Sequence, residues 1–325
     1  MEPWLIALIV ILGVIVLLLL LYLSFGMFVI SYSLKKKSIK KLQAAGAANL
    51  DNPAYKQVDL EFFQDNSLRE EIFIPSFDKK ELSAYFFKNN KSHKYVIYCH
   101  GWTGAPDEES KFLKDLYYEE GFNLLAREQR GQMNSKINFC TMGINESKDA
   151  VDWVKYIVSI DKEASILLMG LSLGAATVAM TNYYELPNNV KCEICDASFC
   201  SVYEMFENIA INNFNKTIGK LIASSFYVDM KLFHRLDVKK YSPINALKNC
   251  HKPILFIQGD QDELVPYSSM KRLYDVVPSS TIKEMKTFKD MPHAFIAAYM
   301  YDEYKEKVVR NIPPYLMNSS LIIEL

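Results

Sequence analysis

Gly170-Leu171-Ser172-Leu173-Gly174 constrains this chain more than any other stretch. The apolar run over 165–169 precedes it, and the small-residue run over 175–179 follows. That order reads as strand, sharp turn and helix, with a serine at the apex. The glycines let the backbone turn tightly beside the serine, whose hydroxyl is then pushed into open space at the carboxyl edge of a sheet.

The rest of the chain supplies the sheet. Strands are predicted over 58–63, 71–75, 82–87, 95–99, 123–126, 165–169, 191–195, 253–258 and 281–287. Helices are predicted over 108–120, 146–158, 173–184, 267–276 and 295–309. Strands alternating with helices imply the α/β class, with a mostly parallel central sheet flanked by helices. Residues 201–247 break the alternation with a helical pattern rich in Phe, Ile, Met and Tyr. An insertion there is expected to form a small helical cap over the carboxyl ends of the strands, where ligands bind in open sheets. With 325 residues, half of them hydrophobic, the chain is large enough for one such domain and an appendage. Its net charge of −1 gives no footprint for nucleic acid.

The appendage is N-terminal. No charged residue occurs from Pro3 to Leu34, and the stretch from Trp4 to Ile30 is almost wholly aliphatic or aromatic. As a helix it reaches about 40 Å, enough to cross a bilayer core with tilt. A cleaved signal would have a shorter apolar run and a basic start, whereas this chain begins Met-Glu-Pro. The expected division is a transmembrane anchor over 1–34, a basic, Ala-rich linker over 35–53 and a folded domain over 54–325. Lys35, Lys36, Lys37, Lys40 and Lys41 all follow the span, which predicts a single-pass protein of the cell membrane with its domain in the cytoplasm. Cys99, Cys192 and Cys195 fall in predicted strands, as small buried hydrophobes; unpaired thiols agree with a reducing compartment. Cys192-Glu193-Ile194-Cys195 is not expected to hold metal, because residues three apart on a strand face opposite ways and no second pair follows. No cofactor is expected.

A serine hydroxyl is a weak nucleophile at neutral pH and needs a base, which in turn needs an orienting acid. Along the chain the acid is expected next and the histidine last. Of the five histidines, His93 and His100 precede Ser172, His234 lies in the cap and His251 sits at the opposite sheet edge. His293 follows the last predicted strand and satisfies both order and edge. The acid is sought in the turn Gly259–Pro266, where Asp262 is preferred over its neighbours Asp260 and Glu263; Asp196, ending the preceding strand, is a further candidate. Two backbone amides are needed for a developing oxyanion. Leu173, after the serine, is expected to give one, and Trp102, in His100-Gly101-Trp102-Thr103-Gly104, the other. His100 is read as a brace for that loop.

His100-Gly101, Glu128-Gln129-Arg130-Gly131, Gly-Leu-Ser-Leu-Gly, Gly259-x-x-Asp262-x-x-Val265-Pro266 and Pro292-His293 stand in an order that resembles the α/β-hydrolase superfamily. The sequence looks most like its serine aminopeptidase-like and monoacylglycerol lipase-like branch, and like the bacterial single-span hydrolases there. The resemblance implies the α/β-hydrolase fold, Ser172 as nucleophile, Asp262 as acid, His293 as base, and oxyanion amides at Trp102 and Leu173. Many relatives read Arg-Gly-His-Gly-x-Ser where this chain has Arg130-Gly131-Gln132-Met133-Asn134-Ser135, a departure that bears on subfamily and substrate. The expected activity is cleavage of a carboxylic ester with a hydrophobic acyl substrate. The same residues would serve a peptidase, aminopeptidase or thioesterase. Outside the enzymes, the fold would serve as a membrane-anchored binding module.

Overall fold

The computed structural model describes residues 2–46, 62, 65, 67–89, 92–106 and 113–309. Its centre is an eight-stranded sheet. The strands are β1 (Arg69–Pro75), β2 (Glu81–Phe87), β3 (Lys94–Cys99), β4 (Asn123–Arg127), β5 (Ser165–Leu171), β6 (Val190–Asp196), β7 (Ile254–Gly259) and β8 (Lys283–Phe288). Their order is β1-β2-β4-β3-β5-β6-β7-β8. β1 and β2 pair antiparallel, as do β2 and β4, and every other pair is parallel. Composition explains the difference. β1 alternates buried and exposed residues, whereas β4 and β7 are buried throughout, as parallel strands covered on both faces must be.

Alternation along β5 feeds two cores. Ile166 and Leu168 point into one, with Trp153 of helix α3 (Ile144–Ile160); Leu167 and Met169 point into the other. β5 lies between β3 and β6, so the turn that follows it leaves from the middle of the sheet. Helix α4 (Leu173–Met180) starts directly there. It stops earlier than the predicted 184, where residues Thr181–Tyr183 tighten into a 3₁₀ turn.

The N-terminal apolar run is one helix, α1 (Pro3–Leu34), long and apolar enough to cross a membrane. Its side chains are almost all exposed as far as Leu21. Beyond that point Gly26, Ile30, Ser33 and Leu34 are buried, at the spacing of one helix face. The expected linker begins instead as a docked helix, α2 (Lys36–Gly46), with Ile39 fully buried. The Lys36 amide donates to Asn138 O (3.0 Å), and the Cys140 amide to Leu34 O (2.9 Å). Apolar packing around Ile30, Leu34 and Ile39 is what replaces a free tether. Residues 47–53 of that segment, nearly all of the predicted strand 58–63 and residues 108–112 of the predicted helix 108–120 lie outside the described residues.

The segment expected to form a cap holds a helical hairpin, α5 (Val202–Asn213) and α6 (Lys216–Phe233), whose second helix packs on α1. Both helices are capped: Ser201 Oγ accepts from Glu204 N (3.1 Å), and Asn215 Oδ1 accepts from Thr217 N (3.0 Å) and Ile218 N (2.9 Å). α7 (Ser268–Val276) packs beside β7 and β8. The predicted helix 295–309 is broken. Met300 leaves the helical region (φ −126°, ψ 47°), separating the one-turn helices Ile296–Tyr299 and Tyr301–Tyr304. Tyr304 is thereby buried, with its hydroxyl donating to Asp196 Oδ2 at 3.0 Å.

One buried ion cluster fixes the loop after β4. Arg130, 2% exposed, donates to Asp149 at 2.5 and 2.7 Å and to Asp78 at 2.8 Å through two nitrogens. Burial pushes the Asp149 carboxyl up to about 6 against the pull of Arg130. Arg130→Met strands Asp149 in the interior and is expected to lower stability by about 3–5 kcal/mol. Arg130→Met/Asp149→Asn should recover part of that loss, read by chemical denaturation of the full chain in detergent.

Candidate active site

The backbone at Ser172 is left-handed (φ 52°, ψ −111°), a conformation few side chains tolerate. Its neighbours make it feasible. A Cβ on Gly174 would stand 1.8 Å from Cys99 O, and one on Gly170 would stand 2.2 Å from the Gly174 carbonyl. Only glycine lets β3, β5 and α4 approach this closely. The Ser172 amide is pinned by Asp196 O at 2.8 Å. Four other non-glycine residues with positive φ follow strand ends at the same sheet edge: Thr103 after β3, Ala197 after β6, and Asp290 and Ala294 after β8. Strained backbone gathered at one edge is a mark of a functional site.

Ser172 Oγ donates to His293 Nε2 at 2.8 Å, and His293 Nδ1 donates to Asp262 Oδ2 at 2.7 Å. The three side chains come from the ends of β5, β7 and β8. Two backbone bonds staple the last two turns together, Asp260 N to Phe288 O (3.0 Å) and Gln261 N to Met291 O (3.1 Å). Asp260 Oδ1 accepts the Asp290 amide at 2.7 Å. Asp262 is completely shielded from solvent at its side chain. Its Oδ1 accepts the amides of Leu264 (3.0 Å) and Val265 (2.7 Å), and Gln258 Nε2 donates to its Oδ2 at 3.2 Å. Those donors stabilise a buried carboxylate.

The alternatives separate on geometry. Asp260 is occupied with the Asp290 turn, Glu263 is exposed, and Asp196 accepts from Tyr304. Of the other histidines, His93 is exposed beside Asp161, His251 is exposed, and His234 stacks on Phe139 with ring centroids 4.4 Å apart. His100 is buried; its Nε2 accepts the Gln129 amide at 3.1 Å and its Nδ1 donates to Gly101 O at 2.9 Å, which makes it a brace for the loop after β3.

Leu173 opens α4, so its amide belongs to the first helical turn, which has no intrahelical acceptor. Trp102 lies in the loop after β3, whose Cys99 is paired with Gly170 of β5. Trp102 and Leu173 share one apolar cluster. The Trp102 indole donates to Ser33 O of α1 at 3.2 Å, and the Thr103 amide donates to Gln132 Oε1 at 3.0 Å. Gln132, the departure from the Arg-Gly-His pattern, thus anchors this loop.

The BD-FAE family model matches residues 84–277, more than half of the chain. The chain belongs to the BD-FAE family. With it comes membership of the α/β-hydrolase superfamily. The BD-FAE protein is 25% identical over 212 residues to the alpha/beta hydrolase domain-containing protein WAV2 of Arabidopsis thaliana, matching 64% of this chain and 67% of that one. It is 24% identical over 216 residues to the uncharacterized membrane protein YNL320W of Saccharomyces cerevisiae, matching 66% of this chain and 70% of that one. The matches span about two thirds of the length of these relatives. Among solved structures, the esterase Pf2001 of Pyrococcus furiosus superposes with a TM-score of 0.61 at 22% identity, covering 78% of this chain and 95% of that one. That likeness is one of fold.

Sequence reasoning names Asp260 only as an alternative acid and Gln132 only as a departure from a family pattern, and it leaves out Gln258 and Tyr304. Asp260 and Gln258 flank the preferred acid, so the turn itself was the signal. Nothing in the sequence marks Tyr304 as the partner of Asp196, because the break at Met300 creates that contact.

Asp196 supplies a pH test. Burial pushes its carboxyl up to about 7, although Tyr304 donates to it. The unfolded value is about 3.9, so the folded protein binds this proton more tightly. Stability from this group is therefore full at low pH and is lost as pH rises from about 4 to about 7. Asp196→Asn, which keeps an acceptor for Tyr304, should raise the melting temperature at pH 8 more than at pH 4.5. An equal effect at both values would contradict the assignment.

Proposed function

We propose that this BD-FAE protein is a membrane-anchored serine hydrolase that cleaves carboxylic esters through an acyl-enzyme on Ser172. The observation that carries the reading is the chain of two hydrogen bonds from Ser172 through His293 to Asp262, at 2.8 and 2.7 Å. His293 accepts the hydroxyl proton as Ser172 Oγ attacks the ester carbonyl. The amides of Trp102 and Leu173 take up the oxyanion. The imidazolium then protonates the leaving alcohol. Water, deprotonated by His293, attacks the acyl group, and Ser172 recovers its proton as the acid departs. Asp262 holds the ring tautomer and stabilises the imidazolium.

An apolar acyl group suits the surroundings. A small recess lined mainly by Leu113, Leu116, Met169, Leu171, Ala294 and Ala297, with Tyr98, Tyr304 and Asp196 also on its wall, borders the residues next to Ser172 and His293. α1 is long and apolar enough to cross a bilayer, and five lysines follow it within seven positions, from Lys35 to Lys41. That bias favours a cytoplasmic domain.

Ser172→Ala or His293→Gln should lower kcat/KM by about 10⁴- to 10⁶-fold, and Asp262→Asn by about 10⁴-fold. The assay is a chain-length series of p-nitrophenyl esters beside matched thioesters and aminoacyl amides. Labelling by a fluorophosphonate should disappear in Ser172→Ala; label that persists rejects the nucleophile, and none in the wild type revives a binding module. Faster turnover of the amides than the esters would reassign the activity to a peptidase. For topology, protease added outside intact cells should leave residues 62–309 uncut, and clean digestion would reverse the orientation.

A further inference from the structure

The cap runs alongside the membrane helix, in the same direction. Tyr22 of α1 donates its hydroxyl to Ser224 Oγ of α6 at 2.8 Å. A Cβ on Gly26 would stand 2.7 Å from Ser225 O and 1.9 Å from Asp229 Oδ2. At the far end His234, which caps α6, stacks on Phe139, and Phe139 pairs with Lys35 just after α1. Residues 22, 26 and 35 therefore meet 224, 225–229 and 234 in turn, so the two helices are parallel.

This register carries the hairpin tip past the domain. Phe214, between α5 and α6, precedes Ser224 by ten positions, about 15 Å of helix. That places it beside the part of α1 on the N-terminal side of Tyr22. There the α1 side chains are exposed almost without exception from Pro3 to Leu21, over about 28 Å, the thickness of a bilayer core. The tip carries exposed apolar side chains among exposed Asn212, Asn213, Asn215 and Lys216. Phe214 is 63% exposed, Ile218 45% and Leu221 59%. Ile218 and Leu221 continue the row of Ser225 that faces α1, yet they are open, so α1 and α6 diverge toward the tip. Lys216 and Lys220 are exposed beside them, with stems long enough to carry ammonium groups out to lipid phosphates. An exposed apolar stripe with flanking lysines is the composition of an interfacial helix.

We propose that the α5–α6 hairpin is a second membrane contact, its tip seated in the leaflet that α1 leaves. The occupant is lipid because the helix beside the tip is able to cross a bilayer. The proposal rests on α1 spanning and is independent of the ester reading. Membrane contact at the cap opens the V between α1 and α6 to acyl chains directly, without passage through water.

All six cysteines are buried and unpaired, so an introduced surface cysteine can be labelled selectively. The full chain is reconstituted in phosphatidylcholine–phosphatidylglycerol vesicles with an NBD fluorophore at Phe214→Cys, at Leu12→Cys in α1, or at Ile160→Cys on the distal end of α3. A retained cooperative thermal unfolding transition shows that each variant is folded. The expected result is a blue-shifted emission at 214, quenched several-fold more by nitroxide lipid than at 160, and shielded from aqueous iodide. A label at 214 as open to iodide as that at 160, with residue 12 still quenched by deep nitroxide lipid, overturns the hairpin contact alone. Residue 12 free of lipid quenching removes the span and the hairpin contact together. Shielding from iodide at 214 without lipid quenching assigns the tip to a protein partner and also overturns the proposal. The ester assay above is unaffected by any of these outcomes.

Discussion

Ser172 stands in a left-handed backbone at the point where three elements crowd together, and the site depends on that placement. β3, β5 and α4 approach so closely that a methyl on Gly174 would overlap the Cys99 carbonyl. The backbone gains a hydrogen bond from the Ser172 amide to Asp196 O at 2.8 Å. The hydroxyl gains an open position at the sheet edge, opposite the turns after β7 and β8. Strain of about 1–3 kcal/mol at such a residue persists only when its surroundings over-determine it. Here the pairing of β5 with both β3 and β6 does so, since neither neighbour can move without breaking the sheet.

The histidine and the acid are held differently. Both sit on turns, which are the parts of a fold most free to vary. Their rigidity comes from hydrogen bonds between the turns, through Asp260, Gln261 and the backbone at Phe288 and Met291. Asp262 then needs donors of its own, because a carboxylate cut off from water is expensive unless it is fully bonded. Two amides, the Gln258 side chain and His293 fill that need. Asp196 has Tyr304 on one oxygen and no partner on the other, and burial raises its proton affinity.

Much of this was legible in the sequence where local chemistry and fold coincide. The Gly-x-Ser-x-Gly turn, the apolar strand before it and the small-residue helix after it each carry their own signal, and the parallel sheet follows from alternation. Asp262 and His293 were legible because each sits just past a strand at the correct edge. Features set by long-range packing were not. The helix over 295–309 has suitable residues throughout, yet it breaks so that Tyr304 can bury against Asp196. The lysine-rich stretch after α1 reads as a linker by composition, yet its hydrophobic residue Ile39 is buried in a cluster with Ile30 and Leu34. Gln132 looks like a departure from a family pattern, and only the Thr103 amide reveals what it holds.

The end of α1 gives that last point its weight. A helix leaves its final carbonyls without intrahelical donors, and three of the last four in α1 find partners further along the chain. Ser31 O accepts from Ser38 Oγ, Ser33 O from the Trp102 indole, and Leu34 O from the Cys140 amide. Two of those donors belong to the loops that surround Ser172, one of them to the residue whose amide is assigned to the oxyanion. The loop after β3 is therefore held from two sides, by Gln132 within the domain and by α1. A helix serving only as an anchor would need no such bonds, because solvent or headgroups would satisfy its carbonyls equally well. Their presence ties the last turns of α1 to the loop after β3, so that the position of the apolar helix and the position of that loop are set by one continuous element.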